Sequence, residues 1–281
     1  SFFVNSSLSH PLSVIDNSWG DIRMNASMES ILIGYNDSRS NAFFQEVNPN
    51  DPEPTPVVPG ELKGVRAGLP LLPGYSDELA QKDDYIDFAV LNENIHTSRV
   101  QLMTAAEVQF LKAEAGLRGW AGAGDTQSNY EQGVALSFQQ HGATGVNTYL
   151  ADNTSIPSDY VDPVNPSNNA TALSTITVAW NAAATNEEKL ERIITQKWIA
   201  MFPEGQEAWS EFRRTGYPKI FPVVSNQSSG AIDTNIQIRR IPFVDSELST
   251  NAAGVAGAVS LLKGPDNGGT RLWWDTGGSN F

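Results

Sequence analysis

Apolar residues recur at helical spacing in several stretches, most clearly between Glu187 and Tyr217. There Leu190, Ile193, Ile194, Trp198, Met201 and Phe202 form one stripe suited to burial against a core. Thr185 and Glu188 have the spacing of a capping box, and Glu187 adds negative charge to the first turn. Phe202-Pro203 disfavours continued helix at Phe202, while Pro203 suits the first turn of a new one. The pattern predicts two helices meeting at a bend. The second runs to about Thr215, with Gly216 as its stop and Pro218 unable to continue it. Trp198, Trp209 and Phe212 read as core, Glu211 and Arg214 as a helical ion pair, and Glu204, Glu207 and Glu211 as a solvated face.

Elsewhere the same spacing recurs in shorter form. Met28, Ile31 and Leu32 predict a helix from Asn25 to about Gly34, a residue placed to stop it. Asp37 and Arg39 offer either a charged binding pair or a tie across the turn at 35–39; the tie is the stronger reading. Residues 1–24 read as an ordered but irregular stretch. Thr104 and Glu107 mark a second capping box, followed by Val108, Leu111 and Ala115 on one face. A glycine-rich break at 119–124 precedes a helix from about Thr126 to His141, with Tyr130, Val134 and Phe138 on one side and Gly142 at its end. So short a connection makes the pair an antiparallel hairpin, in which Ala113, Ala115 and Ala135 allow close approach. Residues 171–184 predict one more helix with Trp180 on its buried face. Ile236, Ile238 and Ile241 predict a short strand before Pro242. Five prolines between Pro49 and Pro59 send residues 45–75 across the surface as an extended loop, and residues 150–170 form a second, polar one. The expected fold class is mainly α with long irregular loops.

Composition narrows the chemistry. With 281 residues and 40% hydrophobic content the chain can bury a core as a single domain. A net charge of −14 with only 18 Lys and Arg argues against nucleic-acid binding, which relies on clustered cations. The absence of cysteine excludes disulfides, thiolate nucleophiles and zinc–thiolate sites. Asp152, Asp159 and Asp162 could offer oxygen ligands to calcium, but they lack the alternating pattern of a calcium loop, and a solvated loop is the stronger reading. Glycines 119–124 follow a helix rather than a strand, so they do not make a phosphate loop. His10, His96 and His141 are widely separated, and neither a Gly-x-Ser-x-Gly elbow nor a His-Glu-x-x-His helix occurs. The expectation is binding without catalysis, with no cofactor and no metal. Arg239 and Arg240 could grip an anion or sugar, but pairing with carboxylates such as Glu247 or Glu211 is the stronger reading. Trp273-Trp274 could form a stacking platform and reads instead as structural. No apolar run reaches the length of a membrane span, and Ser1-Phe-Phe-Val-Asn lacks the features of a signal peptide.

The run Ile193-Ile-Thr-Gln-Lys-Trp-Ile-Ala-Met-Phe-Pro-Glu-Gly-Gln-Glu-Ala-Trp-Ser-Glu-Phe-Arg-Arg-Thr-Gly-Tyr-Pro218 resembles the closing region of the SusD/RagB family, the surface glycan-binding lipoproteins of Bacteroidota. Asp21-Ile-Arg-Met-Asn-Ala-Ser-Met-Glu-Ser-Ile-Leu-Ile-Gly-Tyr-Asn-Asp-Ser-Arg39 is similar to a segment from the middle of such proteins. Arg239-Arg-Ile-Pro-Phe-Val-Asp-Ser-Glu-Leu-Ser-Thr-Asn251 and Gly264-Pro-Asp-Asn-Gly-Gly-Thr-Arg-Leu-Trp-Trp-Asp275 are similar to their C-terminal end. Asp37-Ser38-Arg39 departs from the expected Asp-Pro-Arg. The resemblance implies a SusD-like fold with tetratricopeptide-type hairpins, and a chain of residues 1–281 that is the C-terminal portion of a protein about twice as long. It implies capture of an oligo- or polysaccharide for a SusC-like TonB-dependent outer-membrane transporter. It also implies attachment to the outer leaflet through a lipid on the missing N-terminus. Lys63-Gly-Val-Arg-Ala-Gly68 resembles a family loop near the glycan-binding face, which makes Arg66 and Tyr75 the candidate ligand contacts. Two other readings stand beside this one: a helical-repeat scaffold that binds a protein, and a secreted glycoside hydrolase.

Overall fold

The structure is a computed structural model and describes residues 1–4, 10–20, 22–47, 55–69, 85, 87–97 and 100–281. Tyr75 lies outside the described residues.

The centre of the molecule is a three-helix packing of α5 (Ala105–Leu117), α6 (Thr126–His141) and α8 (Asn186–Met201). Both predicted capping boxes form. Thr104 accepts from the Glu107 N–H at 2.9 Å and Thr185 from the Glu188 N–H at 3.3 Å, while each glutamate reaches back to its cap residue. Asp125 caps α6, and Gly142 ends it in the left-handed conformation. The core they enclose includes Phe110, Tyr130, Val134, Leu190, Ile193 and Ile194. Ala113 is buried as expected, but the hairpin also approaches closely at two glycines: a Cβ at Gly133 would lie 2.8 Å from the Phe110 ring, and one at Gly116 would lie 2.7 Å from Thr126 Oγ1. Helix α9 (Gly205–Thr215) follows α8 after a bend. It begins two residues beyond Pro203, with the Glu204 side chain as its cap, and stops at left-handed Gly216.

The N-terminal third is wrapped onto this centre. Strand β1 (Phe2–Val4) pairs antiparallel with β4 (Val100–Met103), and β2 (Phe44–Gln45) with β3 (Val90–Leu91). Residues 1–24 are less irregular than their composition implies. They contain helix α1 (Pro11–Trp19), opened by proline in its first turn and by His10, whose Nδ1 accepts from the Leu12 N–H, and closed by left-handed Gly20. Helix α2 (Ala26–Gly34) has Asn25 as its cap and buries all but its last two residues. Gly34 is its last helical residue for a different reason from the one expected. A Cβ there would lie 2.4 Å from backbone atoms of Ile156 and Ser158, so loop 152–158 can lie against the helix end. Short helices α3 (Ser40–Phe43), α4 (Glu93–Thr97), α7 (Val146–Ala151), α10 (Asp245–Thr250) and α11 (Ala252–Ser260) are the others among the described residues.

Two predicted elements do not form. Residues 171–184 are irregular rather than helical, because neighbouring side chains bind their carbonyls across the chain direction: Tyr35 Oη donates to Ile176, Arg192 Nε to Thr177 and Tyr130 Oη to Val178. Trp180 still packs, its ring 5.4 Å from that of Tyr130. Ile236, Ile238 and Ile241 form no strand. All three are exposed, Gln237 between them takes a left-handed φ of 61°, and the Arg239 N–H bonds to the Gly268 carbonyl.

Candidate functional site

Asp37 and Arg39 tie the turn down, as their spacing predicts, and also anchor the whole helical body. Arg39 is fully buried and its guanidinium bonds to Asp37, Ser137 Oγ, Tyr149 Oη and Gln196 Oε1. The aspartates weighed as calcium ligands serve the backbone instead. Asp152 accepts the N–H groups of Thr154 and Ser155, Asp162 those of Val164 and Asn165, and Asp159 that of Ala172. Arg239 and Arg240 pair with carboxylates, but with Asp275 and Asp266 rather than Glu211 or Glu247. The supposed solvated face of α9 turns inward at Glu211, which is buried between Lys197 Nζ at 2.8 Å and Arg214 Nη2 at 2.6 Å.

What remains open is a cleft between α9 and the irregular segment that follows it. One lobe, about 540 Å³, has an apolar floor of Trp198, Trp209, Phe212, Val223 and Ile238. Of the three residues read as core, Trp198 is half-buried and packs against the main core, whereas Trp209 and Phe212 are half-buried wall residues. Trp209 is held in place from two sides: its Nε1 donates to the Ile238 carbonyl at 3.1 Å, and the Arg213 guanidinium stacks on its ring at 3.6 Å. Hydrogen-bonding side chains edge the floor. Asn226 donates to the Ile232 carbonyl and to Thr234 Oγ1, and Gln227 to Ser225 Oγ, which fixes the rim.

A second lobe, about 630 Å³, adjoins the first and shares Phe212, Ile220 and Gln237 with it. Its lining is polar, and six of the chain's 18 cations reach it: Arg118, Arg213, Arg214, Lys219, Arg239 and Arg271. Arg214 forks onto Glu114 with both contacts at 2.6 Å, and Arg118 joins the same carboxylate at 2.8 Å. Burial alone would raise the Glu114 carboxyl; the Arg214 and Arg118 hydrogen bonds and charges outweigh it and hold Glu114 below the usual carboxylate range. Arg213 is in the opposite position. Burial, with the charge of Arg239 added, lowers its guanidinium, and its buried Nε has no partner among the described residues. Gln237 separates the lobes. It is a non-glycine residue with positive φ, and no partner is recorded for its side-chain amide among the described residues. Backbone held in that region costs on the order of 1–3 kcal/mol, so an outlier at the divide of two lobes points to use.

Arg66 supports this cleft from behind. Its Nη1 donates to the Asn168 carbonyl at 2.8 Å and its Nη2 to the Pro222 carbonyl at 2.9 Å, with the guanidinium 5.1 Å over the Phe221 ring. The next residues pair with the cleft wall directly, Val224 N–H to Ala67 O and Ser225 N–H to Gly68 O, both at 2.9 Å. Gly68 is left-handed, and a Cβ there would lie 2.7 Å from Val223 Cβ, so only glycine lets the strands of wall meet so closely. The loop singled out by its sequence therefore braces the apolar lobe. Sequence reasoning missed the cleft itself, since Trp209 and Gln237 sit in stretches that read as core helix and as strand. Trp274 stacks against Arg213 at 5.1 Å as a structural residue would, whereas Trp273 projects into solvent with 86% of its surface exposed.

The chain thus combines a helical body, built on a tetratricopeptide-like hairpin, with a loop-walled cleft. The chain belongs to the SusD-like family, described as Susd and RagB outer membrane lipoprotein, whose profile matches residues 1–275. It is similar to a chitin-binding SusD homolog from Flavobacterium johnsoniae, at 50% identity and a TM-score of 0.90, covering 100% of this chain and 55% of that one. SusD homologs from Bacteroides uniformis (40% identity, TM-score 0.84, 98% of this chain and 54% of that one) and Bacteroides vulgatus (38%, 0.88, 100% and 55%) share the fold. The chain thus spans about 55% of the length of these structures. Among curated proteins none matches. No helix among the described residues is long and apolar enough to cross a membrane.

Proposed function

We propose that the protein captures a glycan at the outer face of the outer membrane, without cleaving it, and passes it to a SusC-like TonB-dependent transporter. The observation that carries this reading is the two-lobed cleft. A pyranose ring presents an apolar C–H face and a belt of hydroxyls, and the cleft offers an aromatic floor beside a free amide and a hydrogen-bonded polar rim. Family membership supports it, as does the chitin-binding description of a solved relative. Attachment through a lipid, on a longer protein of which this chain is the C-terminal portion, accords with the family's description as outer membrane lipoproteins. On this reading Arg66 acts by holding the wall at 222–225, and Tyr75 stands as the second ligand-contact candidate on sequence resemblance alone.

Affinity electrophoresis through gels containing a panel of neutral and acidic polysaccharides tests the proposal. At least one polysaccharide retards the protein. Gln237→Gly, which removes the amide and relieves the left-handed backbone, weakens that retardation severalfold while leaving the melting temperature equal or higher. No retardation by any polysaccharide, or release of reducing ends during incubation, contradicts it.

A further inference from the structure

The cationic lobe is out of keeping with the rest of the molecule. The chain carries a net charge of −14, yet six cations converge on one cavity whose lining holds a single carboxylate, Asp275, among the described residues. Acidic neighbours behind the wall occupy some of these cations. Glu114 and Glu211 take Arg214, Glu114 also takes Arg118, and Asp275 is shared by Arg239 and Arg271. Glu187 accepts from Asn280 and Tyr217 at the rim, and Glu191 is within electrostatic reach of Lys219. The compensation is incomplete at three positions. Lys219 has no ion pair among the described residues and rests only over the Tyr217 ring, 4.6 Å from its centroid. Arg271 gives Nη1 to Asp275, and its Nε and Nη2 have no hydrogen bond among the described residues. Arg213 gives its hydrogen bonds to a carbonyl and a hydroxyl; the like charge of Arg239 lies beside it, and the charge of Asp275 offsets that only in part.

The hydroxyls of a wholly neutral ligand can accept hydrogen bonds from these guanidinium and ammonium groups but leave their charge unbalanced where the ligand displaces water. A carboxylate or sulfate would instead accept charge-assisted hydrogen bonds from Arg271 and Lys219 and relieve the repulsion around Arg213. The two lobes meet at Phe212, Ile220 and Gln237, so one chain of sugar rings reaches both.

We propose that the cationic lobe receives the anionic substituent, carboxylate or sulfate, of an acidic oligosaccharide, while the apolar lobe takes the face of the next ring. The proposal rests on the glycan-capture reading and names the substrate class of the same cleft. Lys219 and Arg271 set the preference for charge, and Gln237 bridges the two rings.

The test compares matched pairs of polysaccharides, one charged and one neutral on the same backbone: polygalacturonate with its full methyl ester, and dextran sulfate with dextran, with alginate alongside. Dissociation constants are measured for the wild type, Lys219→Gln and Arg271→Gln, each checked for an unchanged melting temperature. The wild type binds at least one acidic chain about tenfold tighter than its uncharged counterpart, the preference shrinks as salt is raised, and either variant removes most of that preference, weakening the acidic chain far more than the uncharged one. Binding of neutral chains only, or equal binding within every pair, overturns this inference and leaves glycan capture standing. Binding of inorganic sulfate that no acidic oligosaccharide displaces also overturns it, and failure to bind any carbohydrate overturns both.

Discussion

At the scale of single residues, buried polar groups fix the architecture. Arg39 is the clearest case: a guanidinium with no exposure joins a turn to side chains on α6, α7 and α8. The local half of this arrangement was legible, because an Asp-x-Arg turn brings the two charges together within three residues. Its partners Ser137, Tyr149 and Gln196 were not, because they lie about a hundred or more residues away and carry no pattern of their own. His141 shows the cost of the same burial without a partner. At the end of α6 its ring sits edge-on to Phe43 at 4.7 Å, and its Nε2 is buried with no hydrogen bond among the described residues. Burial, then the charge of Arg39, lowers its pKa from 6.5 to about 4. The folded state therefore binds a proton less readily than the unfolded chain. Stability from this residue is intact above the unfolded value and is lost as pH falls from 6.5 towards 4, up to about 3 kcal/mol. Chemical denaturation at pH 7 and pH 4.5 should show His141→Gln losing roughly 2–3 kcal/mol less than the wild type over that interval. Equal losses in both proteins contradict the assignment.

Helices were most legible where local chemistry and periodicity agreed. The capping boxes before α5 and α8 and the glycine stops of α6 and α9 all form, since each needs only residues within one turn. Elements failed where partners distant in sequence decided the backbone. Residues 171–184 have an apolar pattern compatible with a helix, but Tyr35, Tyr130 and Arg192 claim their carbonyls, a competition invisible from within the segment. Helix α1 went unread although Pro11 and Gly20 mark its two ends; it packs on the core through Leu12, a contact that no residue within the segment announces. The hairpin of α5 and α6 offers the sharpest test at this scale. Alanine favours a helix more than glycine does, yet a methyl group at position 133 would press on the Phe110 ring. Gly133→Ala should therefore destabilise the protein by roughly 1–3 kcal/mol by denaturant titration, with helical circular dichroism preserved. A neutral or stabilising effect would show that the two helices separate more easily than their packing implies.

At the scale of the molecule, helices supply a rigid floor and the irregular chain after α9 supplies the chemistry. Most of the segment 216–240 forms neither helix nor strand, so its positions obey neither period, and the sequence alone could not show that Trp209, Lys219 and Gln237 share one cleft. Their convergence depends on Arg66 and on the backbone bonds from residues 67 and 68, which brace the wall from more than 150 positions away. The family, in contrast, was legible, because its motifs are local runs of aromatic, charged and glycine residues in the order the fold requires.

The most direct measurement is a heteronuclear NMR titration of protein carrying ¹⁵N-labelled tryptophan with a bound oligosaccharide, following the seven indole signals. Glycan capture in this cleft predicts that Trp198 and Trp209 shift progressively with ligand while Trp120 and Trp180, which lie elsewhere, stay fixed. Shifts confined to Trp120 or Trp180, with Trp198 and Trp209 unmoved at saturation, would contradict it.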